Sequence, residues 1–92
     1  VPDELTDARA LSKLRWRCRR GLLENDLFIA RFFERHGSGL LQRHANALAG
    51  LMELSDHDLL DVHLARKSLA QVDAALDTLD AREVLNMLRE PL

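Results

Sequence analysis

Four histidines, one cysteine and fifteen carboxylates are the side chains of this 92-residue chain best suited to chemistry. His36, His44, His57 and His63 show none of the short spacings that set two metal ligands on one helix face. They read as solvated or helix-end histidines. Cys18 has arginines on both sides, the setting of a reactive thiol, yet it shares an apolar i, i+3, i+7 stripe with Leu11 and Leu14. A small buried apolar residue is the reading adopted. Asp56, Asp58 and Asp61 offer a carboxylate pair for acid–base work, but behind Ser55 they make an acidic helix start, where the dipole favours negative charge. Gly37-Ser38-Gly39 opens like a phosphate-cradling GxGxxG, but position 42 is Gln and the context is helix to helix, so it reads as an interhelical turn. No Ser-His-Asp or Cys-His arrangement stands out. The sequence therefore predicts no catalytic, cofactor-binding or metal-ligating residues.

The densest chemistry lies in the basic run that ends at Arg20-Gly21. Five of the eight residues from Lys13 to Arg20 are basic, and Glu24 stands four places after the last arginine. A nucleic-acid-binding or regulatory helical module would take its phosphate contacts from Arg15, Arg17, Arg19 and Arg20. These wrap around a helix rather than lining one side, and basic residues in a last turn complement the dipole in any case. Arg20 and Glu24 can also pair across the turn, worth at most about 1 kcal/mol if exposed. On physical grounds this pairing and a recognition surface fit the residues equally well.

Composition bounds what can hold this turn. A chain of this length makes one domain, residues 1–92, with one modest core. Apolar residues are mostly Leu and Ala, whereas Val, Ile and Thr together number seven, a bias toward helix. The net charge of −2 argues against a dedicated nucleic-acid binder. It hides a polarity: residues 1–43 carry nine basic and six acidic side chains, residues 44–92 four and nine. One cysteine fits a reducing compartment, and no apolar run approaches the ~20 residues of a membrane span. The expectation is a cytoplasmic protein without membrane contact.

Five helices are read along the chain. Residues 1–6 are frayed, and Thr6 caps a first helix to about Arg20. Trp16 lies off the buried stripe, on a face with Arg9, Lys13 and Arg20, so its indole is expected against arginine stems. Gly21 stops that helix in a left-handed conformation. A second helix runs to about His36 with Leu22, Leu23, Leu27, Phe28, Ile29, Phe32 and Phe33, an apolar arc wide enough to be contacted on more than one side. After the glycine turn comes a third, about Leu40 to Leu54, with Leu41, Leu48, Leu51 and Met52 inward. Ser55 caps a fourth to about Arg66. Residues 68–79 fit either a short helix or a packed loop, and Asp80-Ala81-Arg82-Glu83 resembles a capping box opening a last helix through Glu90.

Trp16, Cys18-Arg19-Arg20-Gly21, Glu24 and Asp26 resemble the RGxxE region of the succinate dehydrogenase assembly factor family, the small bacterial and mitochondrial flavinylation factors. The likeness continues through Phe32-Phe33-Glu34, Leu51-Met52-Glu53 and Asp56-His57-Asp58-Leu59-Leu60, covering about Leu14 to Lys67. It departs at Val62-His63, where many members have an aromatic-Leu pair, and at Arg66-Lys67-Ser68, which replaces a glycine- or proline-marked turn. The resemblance implies an all-α, compact bundle of about five helices, a monomeric chaperone rather than an enzyme. Its partner would be the flavoprotein subunit of succinate dehydrogenase or fumarate reductase, and it would promote covalent FAD attachment there. FAD would be the partner's cofactor, with none bound stably by this chain. Carried over position by position, the implied contact residues are Arg20, Gly21 and Glu24, flanked by Trp16, Arg19 and Asp26.

Overall fold

The computed structural model describes residues 5–19 and 22–90. Among them run six α-helices: α1 (Ala8–Arg17), α2 (Leu23–His36), α3 (Gln42–Leu51), α4 (Asp56–His63), α5 (Leu69–Val72) and α6 (Leu79–Leu88). Short 3-10 turns at Gly37–Gly39 and Ala74–Leu76 complete the order. The all-α class expected from the Leu and Ala bias is what forms. α5, a single four-residue turn, is the addition to the five helices read from sequence.

Local capping chemistry sets the boundaries. α1 is capped by Asp7, whose Oδ1 accepts from the Ala10 amide at 2.8 Å, not by Thr6. Thr6 is held instead in an extended segment, its amide donating to the Leu40 carbonyl at 2.8 Å. A carboxylate is also the stronger complement to the helix dipole. α1 stops at Arg17, three residues short of the expected end, because the Arg19 amide turns back to the Trp16 carbonyl at 3.2 Å. The expected left-handed stop at Gly21 lies outside the described residues. Ser55 caps α4 as read, its Oγ accepting from the Asp58 amide at 3.2 Å, with Asp56 and Asp58 in the acidic first turn. That helix ends at His63, before the expected Arg66.

Residues 68–79, open between two readings, prove to be turns stitched by side chains. Ser68 and Gln71 form a reciprocal capping box around α5, and Asp73 accepts from the Ala75 amide at 3.0 Å. The capping box expected at Asp80 to Glu83 does not form. Thr78 caps α6, its Oγ1 accepting from the Ala81 amide at 3.1 Å. Glu83 instead accepts from Arg43 Nη1 at 2.6 Å and lies 2.8 Å from His44 Nε2.

Packing follows the apolar stripes. α6 buries Ala81, Val84, Leu85 and Leu88 and lies mainly against α3 and α2. α2 also packs on α4, so it is contacted on more than one side as its apolar arc predicted. Two leucines of that arc, Leu23 and Leu27, nevertheless face outward. Phe32, Leu48, Leu51, Leu59, Val62 and Val84 form the innermost core. The Cα radius of gyration, 12.2 Å, matches the ~12 Å expected of a compact chain this long. No described helix is long and apolar enough to cross a membrane.

Candidate functional site

A cleft of about 570 Å³ opens between α1 and α2, lined by Arg15, Trp16, Cys18, Arg19, Asp26 and Phe33 among others. Its geometry grows from two helix faces. Cys18, only 1% exposed, and Leu14 are the anchors of α1 in the core, which leaves Arg15, Trp16 and Arg19 on the outer side. On α2 the buried stripe Asn25, Ile29, Phe32 and Phe33 fixes the rotation, and Asp26 then falls on the α1 side.

The two arginines in this cleft are paired with rings. Arg19 sets its guanidinium carbon 5.2 Å from the centre of the Trp16 ring, and Arg15 lies 5.4 Å from that of Phe33. Trp16 is 70% exposed, so its indole is a large apolar surface held under a cation and open to solvent. The sequence set Trp16 on a face with Arg9, Lys13 and Arg20; the arginine over its ring is Arg19, through the guanidinium. Arg17 points elsewhere, to Glu53 at 3.8 Å across the end of α3.

Of the residues singled out in the sequence, the fold brings Trp16, Arg19 and Asp26 together. Glu24 is exposed in the same first turn of α2, but two residues rotate a helix by about 200°, so it projects from the opposite flank to Asp26. The exposed Leu23 and Leu27 lie on the arc of the helix between the two carboxylates. Arg20 and Gly21 lie outside the described residues.

Sequence reasoning missed Asn25. Fully buried, it donates from Nδ2 to the Asp56 carbonyl at 3.0 Å, and its Oδ1 lies 3.0 Å from His63 Nδ1. The available signal was a polar residue on the Asn25, Ile29, Phe32 stripe. His63 is at a helix end as read, the last residue of α4, but it is buried at 2% exposure, its ring tilted 31° against Phe28 with centroids 4.7 Å apart. His36 and His44 sit against Glu90 and Glu83 at 3.0 and 2.8 Å, and His57 is exposed.

The other candidate chemistries resolve into structure. Gly37–Gly39 is an interhelical 3-10 turn. Asp61 pairs with Arg66 at 2.9 Å and with Lys67 at 3.7 Å. Among the described residues no group of three or more His, Cys, Asp or Glu side chains could hold a metal ion.

Fold and cleft together define a small all-α protein that presents, among the described residues, a cationic, aromatic surface at the end of α1. Residues 12–91 match the family model described as flavinator of succinate dehydrogenase, and the chain belongs to that family. It is similar to the FAD assembly factor SdhE of Ralstonia nicotianae, 46% identical over 84 residues that span 91% of this chain and 85% of the relative. The FAD assembly factor SdhE of Coxiella burnetii is 33% identical over 57 residues, 62% of this chain and 70% of that one. That of Vibrio cholerae is 36% identical over 52 residues, 56% and 60% of the two chains. No solved structure gives a significant match.

Proposed function

We propose that this chain is a non-catalytic assembly factor that binds the flavoprotein subunit of succinate dehydrogenase, or of the related fumarate reductase, and promotes covalent attachment of FAD to it. The observation that carries the reading is the family match across residues 12–91, strengthened by relatives named as FAD assembly factors. The partner surface is the segment joining α1 and α2 and the residues flanking it in sequence: Arg20, Gly21 and Glu24, with Trp16, Arg19 and Asp26. Exposed Trp and Arg of this kind are the residue types that dominate interface energetics. Arg19 and Arg20 offer forks of donors to partner acceptors, and Glu24 accepts.

The bond-forming chemistry belongs to the flavoprotein and its flavin in this account. A rigid bundle that binds one arrangement of the flavoprotein's mobile parts shifts its population toward the state that holds FAD against the acceptor histidine. FAD remains the partner's cofactor, and the factor acts as a monomer in the cytoplasm. A pull-down from native lysate tests the partner. The tagged chain should recover the flavoprotein subunit and Glu24→Ala should recover much less; equal recovery by both, or none by the wild type, would count against the reading.

A further inference from the structure

Asn25 and His63 are the buried polar residues of the described core, and they are bonded to each other. The Nδ2 donation of Asn25 to the Asp56 carbonyl, at 3.0 Å, decides which end of the amide is oxygen. Oδ1 must then accept, so His63 carries its hydrogen on Nδ1 and donates it across 3.0 Å. One side chain thereby ties the first turn of α2 to the first residue of α4, Asp56, and to its last, His63. Phe28, three residues beyond Asn25, packs tilted against the same imidazole. From the far side Arg89, just past α6, donates from Nε to the Val62 carbonyl at 2.9 Å, so α4 is itself anchored.

Apolar contacts are non-directional and tolerate a small slide or rotation of one helix on another. A buried polar pair does not, because movement leaves a donor or acceptor without a partner and without water. Glu24 and Asp26 are the immediate neighbours of Asn25. Fixing Asn25 therefore fixes the directions in which both carboxylates leave the helix, one toward the α1 cleft and one from the other flank.

We propose that Asn25 and His63 are positioning residues for the partner surface: their buried hydrogen bond sets the rotation of the α2 start and thus the placement of Glu24 and Asp26. This rests on the proposed partner surface. Neither residue touches the partner, being 0% and 2% exposed.

The test is a double-mutant cycle read in flavinylation. Wild type, Asn25→Leu, His63→Leu and the double variant are compared for the factor concentration giving half-maximal covalent flavin on the succinate dehydrogenase flavoprotein at saturating FAD. The assay temperature is one at which circular dichroism shows each variant helical. Each single change breaks the bond and should raise that concentration about tenfold, and the double, which breaks the same bond, should show about the same tenfold rise; a double at the wild-type value would overturn the proposal. A merely structural pair would lower melting temperatures and leave the half-maximal concentration of the folded proteins unchanged. That result overturns the proposal, as does a double variant whose loss is the product of the two single losses. If a single variant is unfolded, His63→Gln replaces it, since its amide donates from a shifted place; a wild-type half-maximal concentration there overturns the proposal, and a raised one in a folded protein supports it. Glu24→Ala in the same assay separates the two claims. If it matches wild type, the partner surface is wrong and the proposal falls with it; if it loses activity while the folded single variants do not, the positioning inference alone fails.

Discussion

His44 Nε2 stands 2.8 Å from Oε2 of Glu83, joining α3 to α6 across 39 residues of sequence. Arg43 donates to the same carboxylate at 2.6 Å and to Asp80 at 2.9 Å. Farther along, Glu90 meets His36 at 3.0 Å and Arg35 at 3.6 Å. The last helix is thus tied to the rest at its middle and just past its end by a carboxylate set between a histidine and an arginine.

The hydrogen bond from His44, and then that from Arg43, hold the Glu83 carboxyl below its ordinary value of 4.5. A depressed carboxyl pKa stabilises the fold above the unfolded value and loses that contribution as pH falls through the folded one. The expected window is therefore below pH 4.5, where Asp77, lowered by its hydrogen bond from Arg82, also contributes. Melting temperatures measured from pH 7 down to pH 3 should fall less steeply for Glu83→Gln than for wild type below about pH 4.5. Parallel curves would show that Glu83 does not carry acid sensitivity.

Ala65 has φ 59°, the one non-glycine residue with positive φ among those described. It sits after α4, where the Arg66 amide reaches back to the Asp61 carbonyl at 2.8 Å and closes the helix end. A Cβ in this conformation costs roughly 1–2 kcal/mol, which glycine avoids. Ala65→Gly should therefore raise stability by about 0.5–1 kcal/mol after glycine's larger unfolded-state entropy is subtracted. Chemical denaturation measures it, and a loss of stability would contradict the assignment of this backbone.

Trp16, exposed and stacked only under Arg19 in the described contacts, contributes little to the core. Trp16→Ala should change stability by no more than about 0.5 kcal/mol. Flavoprotein affinity should drop by roughly tenfold or more if the indole is an interface anchor. Titration of the flavoprotein alongside denaturation of the free factor separates the two effects. Large destabilisation with unchanged affinity would reverse the assignment.

What was legible in the sequence is what local chemistry decides. Burial of Cys18 followed from its stripe, the turn at Gly37–Gly39 from its glycines, and the start of α4 from Ser55. Contacts between distant residues were not legible. Glu83 satisfies the pattern of a capping box, but Arg43 and His44 compete for its carboxylate, and Thr78 takes the cap. α5 has four residues, too few for an apolar period, although Ser68 and Gln71 stood at the spacing that closes it. Asn25 was missed because its partner lies 38 positions away. At the candidate site, neighbouring positions in sequence suggested one surface. Helix rotation divides it, with Asp26 toward the cleft and Glu24 on the other flank.

The central claim is that the segment joining α1 and α2 presents a flavoprotein-binding surface that promotes covalent FAD attachment. Its most direct measurement is the rate and yield of covalent flavin on isolated succinate dehydrogenase flavoprotein at saturating FAD, without factor, with wild type and with Gly21→Arg. The account predicts that the wild type raises both, and that Gly21→Arg, still helical by circular dichroism, has no effect. Unchanged flavinylation with the wild type, or full activity in Gly21→Arg, would contradict it.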